Sequence, residues 1–170
     1  EKHNVLYTPG SFNTPMGVTK IIRERLTPAT QVFVAEMGAR HVGDIKELCR
    51  LVHPRYGVLT SVGPQHLDTF HTLERIKNTK YELMDAVPAD GCCFFPDDGA
   101  ICRELYDRTE KEKRLCCLHY SPDADVWATD VTVSPMGSRF VLHTLAEEIA
   151  CETRLLGAVS YTHLRAHETR

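Results

Sequence analysis

The feature that most constrains the fold is a repeating alternation of short apolar runs with amphipathic helical patterns. Val32-Phe33-Val34-Ala35 is followed by Ile45, Leu48, Cys49 and Val52 at helical spacing. Val58-Leu59-Thr60-Ser61-Val62-Gly63 is followed by a helical pattern from about Leu73 to Val87. Cys92–Phe95 precedes a helix expected over Gly99–Arg108, with Asp97 or Asp98 as its N-cap, and the strand Arg114–His119 comes next. Runs that are apolar all round suit strands covered on both faces, and the intervening helices suit right-handed crossovers. The expected class is therefore α/β, a mostly parallel sheet with helices on both faces. Val5-Leu6-Tyr7-Thr8 reads as one further strand. Pro15 then opens a helix carrying Val18, Ile21, Ile22 and Leu26.

The pattern changes after Pro122. Val126–Ser134 and Arg139–Thr144 are strand-like and flank a turn signal, Pro135-Met136-Gly137-Ser138, and Cys151–Leu156 is a third strand candidate. This predicts a small antiparallel sheet over 122–157, beside a parallel α/β part over 1–121. Residues 158–170 continue no strand or helix period. They resemble a translated sequencing-library adapter, so the natural sequence is expected to stop near Gly157.

Composition narrows the function classes. The 170 residues carry a formal net charge of −3, against the basic surplus of a general nucleic-acid binder. No apolar run approaches the ~20 residues of a membrane helix, and no apolar signal-peptide core follows Glu1-Lys2-His3-Asn4. The 7 cysteines form no C-x-x-C pair, and four of them stand as doublets inside strand patterns. Buried, reduced thiols and a cytoplasmic location are the expectation, without structural zinc.

Three residues carry candidate chemistry. Glu36 and His66 stand just past the ends of two predicted strands, where open parallel sheets bind ligands. Lys80 shares a helical stripe with Leu73, Ile76, Leu83 and Val87. A buried carboxylate at position 36 needs a partner: a hard cation such as Mg²⁺, or an arginine such as Arg40. Lys80 either snorkels to the helix edge or sits there for a purpose. Desolvation favours the neutral amine, which can add carbon dioxide to become an anionic carbamate. A loop histidine such as His66 is more often a surface or hydrogen-bonding group than a ligand.

Four stretches together carry a family resemblance: Thr8–Val18, Val34–Ile45, Leu59–Phe70 and Lys77–Leu83. They resemble, in order, the central ATP-binding domain of the Mur ligases, most of all the branch that adds D-alanyl-D-alanine. The resemblance spans Asn4 to Gly157. It implies ATP-driven amide-bond formation on a UDP-N-acetylmuramoyl peptide through an acyl phosphate, in peptidoglycan synthesis, by a monomer. It further implies that Glu36 holds a Mg²⁺ bridging ATP phosphates, that His66 holds a second, and that Lys80 is a carbamylated lysine positioning it. Asn13 and Thr14 match the loop facing the muramoyl substrate.

The chain departs from the family at Phe95-Pro96-Asp97, where Asn-Ala-Asp is usual. No G-x-x-G-K-[ST] phosphate loop occurs in it, so a fragment cut at both ends and inactive by itself is expected. The alternatives are another Mur enzyme, a folylpolyglutamate-type ligase, or a non-catalytic α/β binding module.

Overall fold

A computed structural model describes residues 3–154, and the adapter-like stretch over 158–170 lies outside them. The elements run β1 (Val5–Tyr7), α1 (Pro15–Arg25), β2 (Val32–Val34), α2 (Asp44–Val52), β3 (Tyr56–Val58), α3 (Leu67–Phe70) and α4 (Leu73–Ala86). They continue with β4 (Cys92–Pro96), α5 (Ala100–Arg108), β5 (Lys113–Cys117), β6 (Val126–Ser134), β7 (Gly137–His143) and β8 (Glu148–Thr153). The chain divides into two compact units, residues 3–57 with 62–91 and residues 58–61 with 92–154.

In the first unit β1 and β2 pair in parallel, Val5 opposite Val32 and Tyr7 opposite Val34. Phe33 points inward and packs on a core of Val18, Ile45, Leu48 and Cys49, which Ile22, Met37, Val52 and Leu83 complete. The predicted stripes of α1 and α2 are thus the buried ones, except that Leu26, the C-cap of α1, is exposed. Apolar surface removed from water is worth about 25 cal/mol per Å², so these stripes hold the helices against the strand. Burial raises the Cys49 thiol to about 11, with the nearby Glu82 carboxylate adding to the effect. The close packing of α1 needs Gly17, since a methyl group there would stand 2.9 Å from the Phe12 backbone.

A six-stranded sheet runs in the order β3-β4-β5-β6-β7-β8, and its strands β4 to β8 belong to the second unit. β4 and β5 are parallel, with Phe95 opposite Leu115, and both side chains are fully buried. Helix α5 buries Cys102 and Leu105, and Tyr106 meets Phe95 edge-on at 5.8 Å. β6 begins parallel to β5, Cys116 opposite Val126, and then runs antiparallel to β7 as far as Ser134 opposite Gly137. A register shift between Thr129 and Thr132, with Asp130 at φ +52°, marks an irregularity along β6.

The α/β class stands, and the structure adds detail to it. The parallel strands fall into two separately hydrogen-bonded sheets. The antiparallel strands extend the six-stranded sheet, because β6 is long enough to serve both neighbours. β1, β2 and β3 are not covered on both faces: Tyr7, Val34 and Val58 are exposed, because these three-residue strands leave alternate side chains outside the core. Neither Asp97 nor Asp98 caps α5. Gly99 is the N-cap, at φ +86°, with no side-chain bond, while the Asp97 backbone N–H donates to the Cys116 carbonyl. All seven cysteines are free thiols, and no helix among the described residues is long and apolar enough to cross a membrane.

Candidate active site

The sequence-predicted site residues all lie in the first unit, on the loops that leave β1, β2 and β3 and on helix α4. Thr14 ends the first loop as the N-cap of α1. Its hydroxyl accepts from the Gly17 N–H at 3.3 Å, and Pro15 stands at the first helical turn. Capping is therefore the contact that Thr14 makes here.

Asn13, one residue earlier, joins two loops. Its side-chain amide donates to the Glu36 carboxylate at 3.1 Å, and its carbonyl accepts from the Gly38 N–H at 2.9 Å. Gly38 is required for this approach, since a methyl group on it would fall 2.9 Å from the Asn13 side chain. Thr8 supplies a further tie that sequence reasoning did not assign. Its buried hydroxyl accepts from the Glu36 backbone N–H at 2.9 Å. Glu36 is exposed, which corrects the expectation of a buried carboxylate. It follows a three-residue strand and leads into a loop at the surface, so its charge is solvated. Arg40 is not its partner; the Arg40 N–H donates to Asp44 at the start of α2.

His66 is half-buried at φ +50°, the N-cap residue of the short helix α3. Its carbonyl accepts from the N–H groups of Thr69 and Phe70 at 3.1 and 3.0 Å and from the Thr69 hydroxyl at 3.1 Å. The Thr69 hydroxyl also bonds the Arg40 carbonyl. Thr69 thus links the loop after Glu36 to the turn that carries His66. Backbone held in the left-handed region by surrounding bonds is often a functional position.

Lys80 is half-buried and directed at that same turn: its Nζ donates to Gln65 Oε1 at 3.1 Å. Helix α4 is anchored by Ile76 and Met84, each 1% exposed, and its N-cap Thr72 accepts from Arg75. The more deeply buried lysine of α4 is Lys77, paired with Glu74 at 2.7 Å. Neither Gln65 nor the burial of Lys77 has a spacing signal in the sequence.

Among the described residues, no three His, Cys, Asp or Glu side chains gather as a ready-made metal cage. The donors present suit a different use. One solvated carboxylate, oriented by an amide on one oxygen, fits a Mg²⁺ that takes its remaining oxygens from phosphate and water.

The family model of the Mur ligase middle domain matches residues 1–162. The UDP-N-acetylmuramoyl-tripeptide--D-alanyl-D-alanine ligase of Mycobacterium tuberculosis strain H37Rv is 34% identical over 152 residues, which make up 89% of this chain and 29% of that protein. The chain thus spans under a third of that relative's length. A MurF ligase from Thermotoga maritima, solved in complex with ADP, superposes with a TM-score of 0.72 at 25% identity, over 89% of this chain and 34% of that one. A MurF crystal structure from Acinetobacter baumannii reaches a TM-score of 0.79 over 97% of this chain and 35% of that one; at 23% identity it speaks for the fold.

Proposed function

The chain belongs to the family of Mur ligase middle domains, and on that premise we propose that it is the ATP-handling part of a ligase that adds D-alanyl-D-alanine to a UDP-N-acetylmuramoyl peptide. The observation that carries this reading is the 34% identity to a ligase of that name over 152 residues. In this reading the acceptor carboxylate is phosphorylated by ATP, and the amine of the dipeptide displaces phosphate from the acyl phosphate. The enzyme works in the cytoplasm, as a monomer.

Glu36, His66 and Lys80 would hold Mg²⁺, which when bound supplies positive charge against the transferring phosphoryl group. Asn13 keeps one carboxylate oxygen of Glu36 fixed, and Thr8 fixes the backbone beneath it. The turn at His66, tied through Thr69 to Arg40, keeps the imidazole on a rigid base. Lys80 reaches the turn from a packed helix. Adding carbon dioxide to its neutral nitrogen forms an N–C bond, releases one proton to water and leaves a carbamate anion. Asn13 and Thr14 would belong to the loop that meets the muramoyl substrate. The 170 residues contain no G-x-x-G-K-[ST] loop to cradle phosphates, so the chain alone is proposed to be inactive.

The test uses the complete open reading frame in which this chain occurs. ADP release should require the UDP-muramoyl tripeptide and D-alanyl-D-alanine together. ADP release supported equally by glutamate and a folate acceptor would assign the domain to a different ligase.

A further inference from the structure

We propose that Arg40 is a further catalytic residue, whose guanidinium meets the phosphoryl group in transit from ATP to the acceptor carboxylate. The proposal rests on the ligase reading given above.

Both main-chain groups of Arg40 are fixed. Its N–H donates to Asp44 Oδ2 at 2.8 Å. Its carbonyl accepts from the Thr69 hydroxyl. The same hydroxyl oxygen stands 3.1 Å from the His66 carbonyl. One oxygen therefore meets the main chain of both Arg40 and His66 and sets the two residues side by side. Along the chain, Arg40 follows Glu36 on the loop that Asn13 and Thr8 anchor at its start. Arg40 thus stands between two proposed ligands: Glu36 along the chain and His66 across Thr69.

The side chain is left available. Arg40 is exposed, and the bonds it makes among the described residues are main-chain ones. By contrast, Arg55, Arg103, Arg114 and Arg139 each pair with a carboxylate. The carboxylate of Asp44 is engaged by the N–H groups of Arg40 and His41, and lies 3.8 Å from His41 Nδ1. A cation on a fixed main chain, with no carboxylate paired to it among the described residues, suits an anion that arrives with the substrate. A guanidinium presents a planar fork of donors that matches two phosphate oxygens at once.

In the step itself, an oxygen of the acceptor carboxylate bonds to the terminal phosphorus of ATP. The bond from that phosphorus to its bridging oxygen breaks, and ADP leaves with the electron pair. Charge is spread meanwhile over the three equatorial oxygens. Fixed donors aimed at such charge lower the barrier more than they tighten the binding of ATP.

The experiment compares the complete enzyme with Arg40→Ala and Arg40→Lys. Arg40→Ala should lower kcat about 100-fold, with KM for ATP within about threefold of the parent. Arg40→Lys should keep about a tenth of the parent rate, since it has the charge without the fork. Guanidinium ion at tens of millimolar should restore part of the rate to Arg40→Ala. A second readout needs no turnover. Calorimetry with Mg²⁺ compares ADP alone with ADP plus aluminium fluoride, a mimic of the phosphoryl group in flight. Arg40→Ala should weaken the mimic complex about tenfold or more and ADP alone by no more than about twofold. An affinity for the mimic within about threefold of the parent, whatever the rate, overturns the proposal. Equal weakening of both complexes overturns it too, and makes Arg40 a nucleotide-binding residue. A parent that binds the mimic but releases no ADP with the UDP-muramoyl tripeptide and D-alanyl-D-alanine overturns the acceptor reading, and Arg40 is then judged on the binding ratio. A parent that does not bind the mimic overturns both. Should Arg40→Ala lower the melting temperature, Arg40→Gln replaces it and is judged by the same criteria.

Discussion

The Asn13 side-chain amide donates to the Glu36 carboxylate at 3.1 Å across 23 residues of sequence. It ties the loop that enters α1 to the loop that leaves β2. Because Glu36 is exposed, its substitution should cost little stability, within about 0.5 kcal/mol as for surface positions generally. In the complete enzyme, Glu36→Gln should nonetheless lower kcat/KM about 100-fold, or about 2.7 kcal/mol of transition-state stabilisation. Asn13→Ala should lower it about tenfold by releasing the carboxylate. Steady-state kinetics beside thermal melts checks both. A large loss of Tm with a proportionate loss of activity would make the pair structural.

Lys80→Ala should reduce turnover strongly, and added bicarbonate should leave it low. Formate or acetate at tens of millimolar should restore part of the rate by standing in for the lost carbamate. Activity of Lys80→Ala within about threefold of the parent would remove Lys80 from the site.

How much of this was legible in the sequence differs by residue. The stripes of α1 and α2 follow from periodicity alone, since Val18, Ile21, Ile45, Leu48 and Cys49 are all buried as their spacing requires. The exposure of Glu36 was not legible. An apolar run suggests burial on both faces, whereas β2 buries only Phe33 deeply enough to reach the core. The double pairing of β6 was hidden too, because register and sheet order depend on neighbours that a single strand does not encode. Gln65 left no signal: its partner lies 15 residues away on another element, and glutamine in a loop is unremarkable by type.

Thr79 is 1% exposed, and its hydroxyl lacks a hydrogen-bond partner among the described residues. A buried unpaired hydroxyl is a cost to folding. Thr79→Val keeps the branched shape and removes that cost, with little change of helix propensity. Chemical denaturation should show a gain of about 1 kcal/mol. A loss of that size would show that the hydroxyl is satisfied in solution.

Two thiols give a pH dependence. Burial, reinforced by Asp97, holds the Cys117 thiol up at about 11, and burial with Glu82 does the same for Cys49. A folded pKa above the unfolded value means that the native state keeps a proton the unfolded chain loses. Their contribution to stability is whole below the ordinary value of 9.0 and is lost as pH rises toward 11. Denaturant midpoints should therefore fall between pH 9 and pH 11, less so in Cys49→Ala and Cys117→Ala. Iodoacetamide at pH 8 should modify both thiols slowly in the native protein.

Phosphoryl transfer to the acceptor carboxylate, as proposed, leaves an isotopic trace. The complete enzyme is given ATP, D-alanyl-D-alanine and a UDP-muramoyl peptide whose acceptor carboxylate carries ¹⁸O. An acyl phosphate places one carboxylate oxygen on the phosphorus, and attack by the amine breaks the carbon–oxygen bond to it. One ¹⁸O is expected in each released inorganic phosphate, with ADP as co-product. Released phosphate without ¹⁸O, or ¹⁸O appearing in AMP, would contradict it.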